Sequence, residues 1–166
     1  MIPKSEILPM EISFTRKGNN NHIISCRRVD GTVTWMQIDS FFVVHDLCHY
    51  AVESVLTLKN AFYGMLASGT SITDFELPKD ERTFNLTDEA IFTEQIVNLL
   101  SIEYSQRQIE NFLDILNEVC QKNTDTILVK KIDNFSLQQI RQSVELLMNR
   151  WHLLPEGETI TLIFEE

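Results

Sequence analysis

A change of period constrains this chain more than any other feature. Between Met10 and Ile38, apolar and polar side chains alternate through three short runs, MEISFTR, HIISCRRV and TVTWMQI. Successive side chains of a strand point to opposite faces, so each run reads as a strand with one face for a core. GNNN (Gly18 to Asn21) and Asp30-Gly31 separate the runs. The second is a strong two-residue hairpin signal. A three-stranded antiparallel meander is the expected outcome.

From Phe42 the period becomes helical. A first helix is expected over about Val43 to Leu56, and a shorter one over Ala61 to Ala67, ending near Gly69. SITDFELPKDERTFNL reads as a long surface loop. Thr87 is an N-cap for a helix through about Glu103. Ser105 with Gln108 resembles a capping box and opens a helix with Ile109, Phe112, Leu113, Leu116 and Val119 on one face. Ser136 with Gln139 repeats the start signal, followed by Leu137, Ile140, Val144, Leu147 and Trp151. TILVKKI (Thr126 to Ile132) reads either as a short edge strand or as a buried linker. TITLIFE (Thr159 to Glu165) alternates again after the PEGE turn, and is expected to join the meander. The architecture is therefore α+β in a single domain, residues 1–166: about four antiparallel strands (the N-terminal meander plus the C-terminal strand) with four or five helices over one face.

Apolar residues make up 43% of the chain, enough for a core, and the net charge is −10. An acidic surface repels phosphate backbones, and the basic clusters Arg27-Arg28 and Lys130-Lys131 are only pairs, so no nucleic-acid partner is expected. MIPKSEILPMEI lacks the apolar run of a signal peptide, and no stretch approaches the roughly 18 apolar residues of a membrane span. The expectation is a cytoplasmic protein without a membrane partner. Cys26, Cys48 and Cys120 form no CxxC pair and read as buried reduced thiols.

The chemistry concentrates in FFVVHDLCHYAVESVL, Phe41 to Leu56. His45, His49 and Glu53 lie at intervals of four. With His45 at 0°, His49 falls at about 40°, Glu53 at about 80° and Asp46 at about 100°, while the apolar residues spread from about 200° to 340°. Two imidazoles one turn apart at the border of an apolar arc can converge on one divalent ion, zinc or a similar metal. Glu53 would be a third metal ligand or an outer carboxylate that orients a ring, and Asp46 an orienting carboxylate or a catalytic base. Further ligands must come from elsewhere; Glu94, Glu103, His22 and His152 qualify by residue type alone. The competing reading is an ordinary helix border whose histidines bond nearby carboxylates. Cys48, at about 300°, points into the core. Phe41, Phe42 and Tyr50 read as core or pocket wall.

VTWMQ, FFVVHDLCHYAVESVL, AFYGMLASG and RWHLLPEGETITLIF resemble blocks of a family of small uncharacterised bacterial proteins with an HDLxHYxVE core. The resemblance implies a bacterial, soluble, single-domain protein and no particular activity. HDLCH is also similar to the HDxxH part of a zinc motif in a ubiquinone-biosynthesis scaffold family. That motif has a glutamate twelve residues beyond its second histidine, where this chain has Ala61, so Glu53 would have to substitute. HDLCH further resembles the HExxH of zinc peptidases with Asp46 in place of the glutamate. Aspartate is one methylene shorter, and Asp46 points away from both histidines on the wheel, so an orienting role is expected rather than peptidase chemistry. Two functions stay open: a metal-binding protein, extending to a metal-dependent hydrolase, and a non-enzymatic small-molecule-binding or interaction module with structural histidines.

Overall fold

The computed structural model describes residues 9–123 and 127–165. Strands β1 (Met10–Thr15), β2 (His22–Arg27), β3 (Val33–Ile38) and β4 (Thr159–Phe164) form one antiparallel sheet in the order β3-β2-β1-β4. The C-terminal strand thus pairs with the N-terminal one, as expected. Ile12 stands opposite Cys26 and Leu162, and Phe14 opposite Ile24 and Ile160. All six are buried. Ser13, Ser25 and Thr161 occupy matching positions on the other face. A one-residue slip would exchange the two sets, so the alternation itself specifies the register.

The helices are α1 (Ser40–Val55), α2 (Phe62–Ala67), α3 (Asp88–Ser105), α4 (Phe112–Asn123) and α5 (Asn134–Leu153). They place the described chain in the expected α+β class. α1 is the central helix: it packs on α2, α3 and α5 and reaches β2 and β3. It begins three residues before the expected Val43 because the Asp39 carboxylate accepts the Phe42 amide (3.0 Å) and caps it there. α2 lies so close to the connection from α1 that a Cβ on Gly64 would come within 1.9 Å of the Lys59 carbonyl oxygen. Only glycine fits there.

Two expected helix starts are displaced. Ser105 belongs to the last turn of α3, where its hydroxyl donates to the Ile102 carbonyl (3.1 Å). α4 begins only at Phe112, and the Glu103 carboxylate takes the Ile109 amide in between (2.9 Å) while pairing with Arg141. Ser136 lies inside the first turn of α5. The cap is Asp133, whose carboxylate accepts the Ser136 amide (2.8 Å) while the Ser136 hydroxyl accepts the Asp133 amide (2.9 Å). A capping box needs two reciprocal acceptors three residues apart, and Asp133 with Ser136 satisfies that as well as Ser136 with Gln139.

Other local expectations are also revised. The segment 71–86 holds a 3-10 turn at Ile72–Glu76; Ile72 is buried and Phe75 packs on the core, so it is more than a surface loop. Leu128–Lys131 is another 3-10 turn rather than an edge strand; Leu128 and Val129 pack part-buried on the core, Ile132 is buried, and Thr126 lies outside the described residues. Phe41 is exposed rather than part of a core or pocket wall. Among the described residues no helix is long and apolar enough to cross a membrane.

Candidate metal centre

Three helices assemble the site. α1 supplies His45, Asp46, His49 and Glu53, and its helical period puts the two imidazole centroids 4.8 Å apart. α3 supplies Glu94. Thr87 caps α3 by accepting the Ala90 amide (3.0 Å) and donates to the Asn60 carbonyl, while Glu89 accepts the Asn60 amide (2.7 Å). These bonds tie the start of α3 to the α1–α2 connection and bring Glu94 opposite the histidines.

Glu94 bridges the two rings. His45 Nε2 lies 3.1 Å from Oε1 and His49 Nε2 lies 3.0 Å from Oε2. Each ring also has a carboxylate behind it. Asp46 Oδ1 is 3.2 Å from His45 Nδ1. Glu53 Oε2 is 3.4 Å from His49 Nδ1, an ion-pair distance without a directed hydrogen bond. Glu53 Oε1 accepts the Tyr63 amide in the first turn of α2 (2.8 Å), and the Tyr63 hydroxyl donates to the Asp46 carbonyl (2.8 Å). Both Nε2 atoms therefore face one space, with a carboxylate beside each Nδ1 and a hydrogen bond at His45 alone.

One ligand atom each from His45, His49 and Glu94 lie within 4.8 Å of one another, a set that could hold a metal ion. Glu53 is not among them. The structure places it behind His49, in the orienting position that was one of its two expected roles, and Asp46 stands likewise behind His45. His22 is engaged by Ser40 (3.0 Å), His152 by Tyr104, and Glu103 by Arg141. Glu94 is the residue that spacing within α1 had no means of selecting. It did leave a trace: it lies four residues after Ala90 and three before Val97, both buried, so it interrupts the inward stripe of α3.

The wheel of α1 put Asp46 beyond Glu53 on the polar side, yet Glu53 and Asp46 are 1% and 6% exposed. Tyr63 of α2 lies over that side, its amide donating to Glu53 and its hydroxyl to the Asp46 carbonyl. Burial favours the neutral form of His49, but Glu53 and Glu94 outweigh it and raise its pKa to about 9. His45 is likewise raised: burial opposes its charge, and Asp46 and Glu94 prevail. Burial pushes Glu94 up, but the two imidazoles pull it far below the usual carboxylate range. Burial raises Glu53 against the pull of His49.

These directions predict different pH responses with and without metal. The raised His49 stabilises the metal-free fold fully below about pH 6.5, the unfolded value, and that contribution is lost as pH rises through about 9. A cation competes with the proton for Nε2, so metal affinity should climb across the same window, with proton release on binding. Urea unfolding from pH 6.5 to 9 should show stability falling with pH for the metal-free protein and staying level, or rising slightly near pH 6.5, with zinc; parallel slopes would contradict the site.

The site opens into a cavity of about 330 Å³ lined by His45, Asp46, His49 and Glu94 together with apolar side chains that include Phe42 and Phe62. No family model, no curated protein and no solved structure matches the chain.

Cys48 lies between the histidines in sequence but is fully buried, and burial pushes its thiol up to about 12. A thiol held protonated and away from solvent is a poor nucleophile. Thiol reagents should label Cys48 in the native protein only as fast as the fold opens. Labelling at the rate of the urea-unfolded chain would contradict this placement.

Proposed function

We propose that the protein binds a divalent cation, zinc or a similar metal, through His45 Nε2, His49 Nε2 and a Glu94 oxygen, and uses it as a metal-dependent hydrolase on a small molecule. The observation that carries this reading is the paired orientation of the rings: both Nε2 atoms converge on Glu94 while Asp46 and Glu53 stand behind both Nδ1 atoms. Two imidazoles and one carboxylate are a donor set suited to zinc, and three protein ligands leave a position open toward the cavity. A cation held there would supply Lewis acidity. Asp46 and Glu53 act through the histidines they touch, so they are positioning residues. The expected cytoplasmic setting belongs to this proposal, and the three free, buried cysteines suit a reducing compartment.

A non-enzymatic small-molecule-binding module is the second reading. It is favoured by the mutual satisfaction of Glu94 and the histidines, which leaves the Nε2 atoms bonded without an ion. Elemental analysis and zinc titration of protein purified without a nickel column separate the two. About one equivalent of bound metal, followed by metal-dependent turnover in a panel of small esters and amides, supports the first. A metal-free protein that takes up no zinc overturns it.

A further inference from the structure

The cavity beside the histidines has a body as well as a polar end. Met36, Phe42, Phe62, Ile72, Phe75 and Leu86 form its walls. Two of the aromatic ones are locked together: Phe62 and Phe75 meet edge to face with centroids 4.9 Å apart, and Phe62 lies 5.1 Å from the His49 ring. An apolar enclosure of this kind, with a few polar groups at one end, binds the apolar body of a small compound.

Its charge is equally selective. Asp46, Glu76 and Glu94 line the cavity, and Glu53 lies directly behind His49. Arg82 is the one lysine or arginine among the described lining residues. Its guanidinium is already employed, with Nε donating to the Leu77 carbonyl (2.8 Å) and Nη2 to the Phe75 carbonyl (2.8 Å). Arg82 thereby ties the segment 71–86 together behind Phe75. A divalent cation and Arg82 together still leave the four carboxylates in excess, so a phosphate entering the cavity meets net repulsion.

We infer that the cavity takes an uncharged compound with an aromatic or branched aliphatic body and a carbonyl-bearing polar end, and discriminates against phosphorylated or otherwise strongly anionic ones. This rests on the proposed metal site for the polar end of the ligand, and on the cavity alone for its body. The apolar body enters between Phe62, Phe75 and Leu86, and the carbonyl reaches the Nε2 end.

Two probes test it on the full chain at pH 7.5, metal-free and zinc-loaded: 3-phenylpropanamide and 3-phenylpropyl phosphate. Binding is followed through the backbone amide signals of Phe62, Phe75 and Leu86. The amide should shift these signals even without zinc, and the phosphate should bind at least about tenfold more weakly. Phe75→Ala should weaken the amide by about fivefold or more, the scale expected for loss of part of an apolar contact. Leu86→Ser, at a half-exposed wall position, gives the same readout should Phe75→Ala unfold. Equal or tighter binding of the phosphate overturns the inference, as does the absence of shifts with either probe. Amide binding by a protein that takes up no zinc sinks the metal proposal and supports this one.

Discussion

Glu94→Gln is expected to lower zinc affinity by at least about a hundredfold while leaving the fold nearly as stable as the parent. Removing a carboxylate that merely orients a ligand costs about 10–100-fold in metal affinity, and Glu94 is proposed as a ligand itself. Glutamine keeps the shape but loses the charge, and its amide oxygen is a far weaker donor to a divalent ion. His45 and His49 stay in place because α1 carries both and Asp46 and Glu53 still back them. The small effect on folding follows from position. The Glu94 side chain is 43% exposed, so its pairing with the histidines is screened by water and contributes about 1 kcal/mol or less. Zinc titration calorimetry and urea unfolding of the metal-free variant measure both quantities. Zinc binding at parental strength would remove Glu94 from the site.

Glu53 should behave in the opposite way. Its side chain is fully buried, one oxygen facing His49 Nδ1 and the other holding the Tyr63 amide. Glu53→Leu leaves a buried imidazole with only the part-exposed Glu94 as counter-charge and a buried amide without an acceptor. Breaking one side of a buried pair costs about 3–5 kcal/mol, and the lost amide bond adds to that. Much of a typical domain's stability of about 5–15 kcal/mol would go with it. Glu53→Gln keeps an acceptor for Tyr63 and should lose roughly half as much. Chemical denaturation at pH 7 compares the three proteins. A leucine variant as stable as the parent would mean that the carboxylate is not engaged as described. The contrast between the two glutamates separates holding an ion from holding the fold.

Within single elements the sequence was a close guide. Strict alternation in Met10–Thr15, His22–Arg27 and Thr159–Phe164 is enough to select strands and the buried face of each. The connection from β2 to β3 is one residue longer than the expected two-residue turn: the Gly31 amide donates to the Arg28 carbonyl (2.9 Å), so Val29 and Asp30 make the turn and Gly31 follows it with a left-handed φ of 84°. His45 and His49 share a space because a helix places every fourth side chain nearly in line. All of this is local geometry, written in the spacing of residues along one element.

What the sequence could not rank was the set of candidates outside α1. Glu94, Glu103, His22 and His152 were equal by residue type, and each finds a different partner in the fold. Glu94 reaches the histidines because α3 crosses α1 at a depth set by packing, and its start is pinned to the Asn60 backbone. Tertiary structure also buried Asp46, which the wheel had put on the polar side. A helical wheel divides one helix into two sides, but α1 packs on α2, α3 and α5 and reaches β2 and β3 as well. The histidines and the sheet were thus determined by periods of four and two along the chain. The bridging carboxylate, and the burial that makes Glu53 structural, were decided by contacts between residues far apart in sequence, which no local period encodes.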